Sequence, residues 1–106
     1  MLYDPKWEVS TETKPLEPWQ QLLLRAAEVI ERDGWIQGHA FQHDGVCMVG
    51  AIARAGRGQQ WPAGTQYQKM LTALFPSTGG NMVRWNDTPG RTKQQVIDAL
   101  RKAARS

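Results

Sequence analysis

Apolar residues recur at helical spacing in four stretches of the chain. Trp19, Leu22, Leu23, Ala26, Val29 and Ile30 fall three and four positions apart, with Arg25, Glu28, Glu31 and Arg32 between them. That spacing predicts an amphipathic helix from Pro18 to Asp33. Pro18 suits its first turn, where a missing N–H costs nothing, and Gly34 supplies the C-cap. A second helix is predicted from Gly45 to Ala55, with Asp44 as N-cap. It is apolar nearly all round, which marks it as the buried central helix. Gly50 and Ala51 would let a neighbouring backbone approach it closely. A third helix is predicted from Thr65 to Phe75, with Tyr67, Met70, Leu71, Leu74 and Phe75 inward and Pro76 as its stop. The last helix follows Thr92, which with Gln95 matches a capping box. Val96, Ile97, Leu100, Ala103 and Ala104 form its apolar face, and Arg101, Lys102 and Arg105 complement its dipole.

Between these helices the pattern weakens. Residues 1–17 read as an extended N-terminal arm interrupted by Pro5 and Pro15, with Trp7 available to pin it to the body. Gly56 to Gln60 reads as a flexible loop. In Asn81 to Trp85, Val83 and Trp85 alternate with Met82 and Arg84, which favours an extended segment. The expectation is a mainly α fold: a compact irregular bundle of about four helices over residues 18–106. The arm and residues 81–85 leave room for a small β element.

Composition limits the function. The chain has 106 residues, which fits a single domain able to bury a core. One cysteine, Cys47, precludes an intramolecular disulfide and suits a reducing compartment. No apolar run has the length of a membrane span, and the polar N-terminus lacks the apolar core of a signal peptide. Cytoplasmic residence is the expectation. Charge is uneven. Residues 1–33 hold four Lys/Arg against seven Asp/Glu, while residues 34–106 hold nine Lys/Arg against three Asp. Either the basic part meets a polyanion or acidic partner, or the two parts neutralise one another.

Candidate chemistry is sparse. His39, His43 and Cys47 recur every four residues, a metal-ligand spacing if one helix carried them. Asp44-Gly45 interrupts that helix and no second ligand pair follows, so no metal and no cofactor is expected. Cys47 near a helix N-terminus, with His39 or His43 as base and Asn86 or Asp87 as orienter, sketches a cysteine-dependent hydrolase. No local nucleophile signature surrounds it, and a lone apolar-flanked cysteine is ordinarily core. Nucleic-acid binding would draw on Arg54, Arg57, Lys69, Arg84, Arg91, Lys93, Arg101, Lys102 and Arg105. Trp61 and Trp85 would be its stacking residues. These cations do not gather on one groove-facing helix end.

The most informative stretch is Trp85-Asn86-Asp87-Thr88-Pro89-Gly90-Arg91-Thr92. Pro89-Gly90 predicts a type II turn, Asn86 and Asp87 can close Asx-turns, and Thr92 caps the last helix. Capping leaves Asn86, Asp87 and Arg91 unexplained. Together with Gly34-Trp35, Gly38 and Cys47-x-x-Gly50-Ala51, this stretch resembles a domain of unknown function. That domain occurs in small proteins of actinobacteria and their bacteriophages. The resemblance implies a bacterial or phage setting and no activity. The reading that follows is a small non-enzymatic binding or regulatory protein. It would contact a host or cellular protein through Trp61, Trp85, Asn86, Asp87 and Arg91. Nucleic-acid binding and cysteine-dependent hydrolysis are the alternatives.

Overall fold

A computed structural model describes residues 15–57 and 64–106. Most of the arm, with Trp7, and the loop carrying Trp61 lie outside the described residues. The element order is α1 (Pro18–Asp33), β1 (Phe41–Gln42), β2 (Gly45–Val46), α2 (Met48–Ala55), α3 (Thr65–Thr78), α4 (Met82–Asn86) and α5 (Lys93–Ala104).

Helix α1 forms as its stripe predicts, and the side-chain oxygen of Gln20 accepts the backbone N–H of Glu17 at its start. It buries Trp19, Leu22, Leu23, Ala26, Ala27, Val29 and Ile30. Three helices, α2, α3 and α5, pack against it, so α1 occupies the centre of the bundle. The expectation that α2 would be central is corrected here. Helix α2 has only eight residues, and it buries Met48, Gly50, Ala51 and Ile52 against α1 and α4 while Ala53 to Ala55 stay half-exposed. Each fully buried Leu or Ile of this core contributes about 1.5–3 kcal/mol relative to exposure.

Three boundaries differ from the sequence reading. Asp44 does not cap α2. His43-Asp44 form the tip of an antiparallel hairpin in which Phe41 pairs with Val46 and Gln42 with Gly45. The hairpin is held from outside: Val46 N–H donates to Gly34 O and Ile36 N–H to Val46 O, both at 3.0 Å. This is the small β element among the described residues, and residues 81–85 do not contribute to it; nearly all of the arm lies outside the described residues. Helix α2 therefore starts three residues later, with Cys47 as N-cap accepting from Gly50 N–H.

Residues 82–86 are helical, not extended, because the Asn81 side chain accepts Arg84 N–H at 2.9 Å and starts a turn. Helix α3 continues past Pro76 to Thr78, where Gly79 at φ 68° closes it by donating to Phe75 O. Only its Met70–Leu74–Thr78 line is buried; Tyr67 and Phe75, expected inward, are exposed. The neighbours α1 and α5 cover one narrow strip of this helix.

Part of the uneven charge is neutralised among the described residues. Asp33 pairs with Arg54, Glu17 with Lys69 and Glu31 with Arg101, each at 2.9 Å. In each pair an acid of the first 33 residues meets a cation of the remainder.

Candidate functional site

The connector Gly34 to Gly38 lies between the hairpin and the segment that ends α4. Close backbone packing requires Gly34 there: its φ is 97°, and a Cβ would stand 2.6 Å from Asp44 O. The next residue, Trp35, reaches Asn86.

Asn86 is fully buried, and all four of its side-chain hydrogen-bonding positions are used. Its oxygen accepts Trp35 Nε1–H at 2.7 Å and Met48 N–H at 3.0 Å. Its amide nitrogen donates to Ile36 O at 3.2 Å and to the Asp87 carboxylate at 3.0 Å. Met48 is the first residue of α2, so Asn86 satisfies a helix N–H that would otherwise be orphaned. One amide thus links the connector, α2 and α4. A buried polar network of this kind stabilises only when fully satisfied, and this one is.

Neighbouring residues extend the link. Asp87 accepts Gly38 N–H at 3.0 Å, and Gln37 Nε2 donates to both Asn86 O and Thr88 O at 3.0 Å. Hydrogen bonds from Asn86 and from the Gly38 backbone, then the charge of His39, hold the Asp87 carboxyl below the usual carboxylate range. Thr88 to Arg91 form the predicted type II turn: Arg91 N–H donates to Thr88 O, with Gly90 at φ 87°. Thr92 and Gln95 make the predicted capping box at α5.

Arg91 Nε donates to Trp85 O at 3.0 Å, and the guanidinium carbon lies 4.0 Å from the centroid of the Trp85 ring. This stacked pair borders an open groove of about 290 Å³ between α3, α4 and α5. Ser77, Gln95, Ala99 and Lys102 complete its walls, with Asp98 at one side. The structure thus divides the segment singled out from sequence. Trp85 and Arg91 are half-exposed at a groove; Asn86 is inaccessible and Asp87 half-buried behind it. Trp61 lies outside the described residues. Sequence reasoning missed Trp35 and Gln37 as partners of Asn86. Their only signal was a tryptophan and an amide beside a conformationally special glycine.

A second groove of about 420 Å³ runs between α1 and α3 and is lined by Trp19, Thr65, Lys69, Thr72 and Ala73. Its one cation, Lys69, is already paired with Glu17.

The residues of the catalytic alternative are separated by burial. Cys47 is 5% exposed, while His39 and His43 are exposed on the connector and hairpin tip. Among the described residues, no three His, Cys, Asp or Glu side chains converge as metal ligands. No helix among them is long and apolar enough to cross a membrane.

These observations define a small α domain braced by a two-stranded hairpin and locked by one buried asparagine. The chain belongs to a family of unknown function, DUF6197, whose match covers residues 14–106. No curated protein and no solved structure matches it significantly.

Proposed function

We propose that this protein is a small non-enzymatic binding module that acts by contact with another protein through the Trp85–Arg91 groove. One observation carries the reading. Within a single segment, Asn86 and Asp87 spend their side chains on internal bonds, and Trp85 and Arg91 are thereby fixed at the edge of an open groove. Tryptophan and arginine are the side chains most enriched among energetically dominant contact residues. Fixing them before binding reduces the ordering cost of association. In this reading Trp85 and Arg91 touch the partner, and Asn86 and Asp87 position them. Trp61 remains a candidate contact.

In this reading the partner is a host or cellular protein met in the cytoplasm of an actinobacterium or of a phage-infected host, and the motif resemblance is what supports that setting. The nucleic-acid alternative is weaker, because Arg54, Lys69 and Arg101 are engaged by Asp33, Glu17 and Glu31. Buried Cys47 gives little support to the hydrolase.

The test is affinity capture from an actinobacterial lysate with the wild-type chain, Trp85→Ala, Lys102→Glu and Glu28→Lys. Circular dichroism verifies folding of each. Wild type and Glu28→Lys should retain the same protein, and Trp85→Ala and Lys102→Glu should lose it. Lys102 is exposed, so its variant keeps the test decisive if Trp85→Ala unfolds. Equal capture by Lys102→Glu and wild type would remove the groove from consideration.

A further inference from the structure

We infer that the occupant of the Trp85–Arg91 groove is a peptide segment bearing one carboxylate beside an apolar or aromatic side chain. This rests on the reading of the groove as a protein-contact surface and adds the chemistry of what it contacts.

Charge supplies the first argument. Successive cations on α5 have different fates. Arg101 faces α1 and pairs with Glu31 at 2.9 Å. Lys102, one residue on, turns to the groove and makes no ion pair among the described residues. Arg91 also has no carboxylate partner among them; its single side-chain hydrogen bond runs from Nε to a backbone carbonyl. The lining therefore presents two cations, Arg91 and Lys102, against one carboxylate, Asp98. Asp98 is held by Gln94 Nε2 at 2.8 Å. The net charge of the lining is +1, which one partner carboxylate balances.

Geometry supplies the second. Stacking on Trp85 fixes the plane of the guanidinium, and its Nη groups carry no hydrogen bond among the described residues. A planar guanidinium with open Nη donors suits bidentate binding of a carboxylate, which a lysine ammonium cannot match. Beside it, Ala99 and the Trp85 ring give an apolar floor. About 290 Å³ is small for a binding cleft and suits a short piece of chain better than a folded element. Asp98 repels a run of negative charge, so the site disfavours a phosphate backbone as well as a polyacidic tail.

The experiment pans a random-peptide display library against the full chain, with Lys102→Glu panned in parallel. Selected peptides are then placed by amide chemical-shift mapping. Enriched peptides should carry a single Asp or Glu close to Leu, Phe or Trp and shift the Trp85, Arg91 and Ala99 resonances. Replacing that Glu by Gln, or using Lys102→Glu, should weaken binding roughly fivefold or more. Asp98→Asn should tighten it by roughly twofold. Peptides that map to the groove with no carboxylate dependence overturn this chemistry and leave the contact surface standing. Peptides that map elsewhere, or no enrichment at all, sink both. An oligo-dT strand that displaces the peptides with a steep salt dependence reassigns the groove to nucleic acid.

Discussion

Trp35 donates its indole N–H to the side-chain oxygen of Asn86 across 51 residues of sequence, at 2.7 Å. The same oxygen accepts the first N–H of α2. A tryptophan after α1 and an asparagine at the end of α4 therefore meet where α2 begins. The groove depends on this meeting, since Trp85 and Asp87 are the immediate neighbours of Asn86.

Asn86→Ala would remove the partner of Met48 N–H, which is buried, and of Trp35 Nε1 and Ile36 O, which are partly buried. Each stranded group costs about 1–3 kcal/mol. The expected loss is about 3–5 kcal/mol, read from urea unfolding, a large share of a small domain's stability. Trp35→Phe alone should cost less, about 1–2 kcal/mol, because Asn86 keeps Met48. In the double variant the two losses should fall short of their sum by about 1 kcal/mol or more. Strict additivity would mean that the two side chains are not coupled.

Helix propensity and packing give opposite signs at Gly50. Alanine in a helix is favoured by up to about 1 kcal/mol over glycine. A Cβ at Gly50, however, would run into Ala40 O and approach Ala40 C at 2.9 Å. Ala40 O also accepts Cys47 N–H, so it cannot move without loosening the start of α2. Gly50→Ala should destabilise by about 2 kcal/mol or more. Gly56→Ala is the control: φ is −87° there and the nearest atoms lie at 3.5 Å or beyond. It should be neutral or stabilising by up to about 1 kcal/mol. Thermal melts of the two variants shifted in the same direction would refute the packing account.

Local signals were legible in the sequence, and distant ones were not. Helices α1 and α5 carry both a complete apolar stripe and their own caps, so residues within one turn decide them. The turn at Pro89-Gly90 is equally local. Asp44 looked like a cap because nothing nearby shows that Gly34 and Ile36 claim Val46 and draw residues 41–46 into a hairpin. Helix α4, at five residues, is too short for periodicity to register, and its Asn81 cap emerges only in the structure. Tyr67 and Phe75 belong to the apolar side of α3 by spacing, but exposure depends on how far α1 and α5 reach. Asn86 read as an unexplained polar residue because each partner beyond Asp87 lies at least 38 residues away. The groove was foreshadowed only by the identities of Trp85 and Arg91.

Three described carboxylates should contribute to acid unfolding, the first being Glu17, whose carboxyl a hydrogen bond from Lys69 and then one from Gln66 hold below its usual range. Hydrogen bonds from Arg32 and then Arg54 hold the Asp33 carboxyl well below its usual range, and Asn86 and Gly38 do the same for Asp87. A carboxyl whose folded pKa is depressed contributes stability that is complete above its unfolded pKa, about 4. That contribution is lost as pH falls through the lower folded value. Melting temperature should therefore hold level down to about pH 5 and then fall. Asp33→Asn and Asp87→Asn should each melt lower than wild type at neutral pH, and the gap should close in acid. A gap that widened toward low pH would contradict the assignment. Asp33→Asn should leave groove binding unchanged, whereas Asp87→Asn should weaken it by releasing the connector behind Trp85.

Cys47 offers a clean separation between a structural and a chemical thiol. Its sulfur accepts Gly50 N–H at 3.4 Å as the N-cap of α2, and the residue is 5% exposed. A serine oxygen is a stronger cap than a thiol, and alanine removes the cap at a cost of about 1 kcal/mol. Cys47→Ser should therefore stay folded and match or exceed Cys47→Ala in stability. A water-soluble disulfide reagent should label the native thiol slowly, and urea should accelerate labelling in step with unfolding. Both variants should retain the captured partner as well as wild type does. If Cys47→Ser folds normally yet loses a cellular effect that Lys102→Glu preserves, the thiol acts chemically, and the groove is not where this protein works.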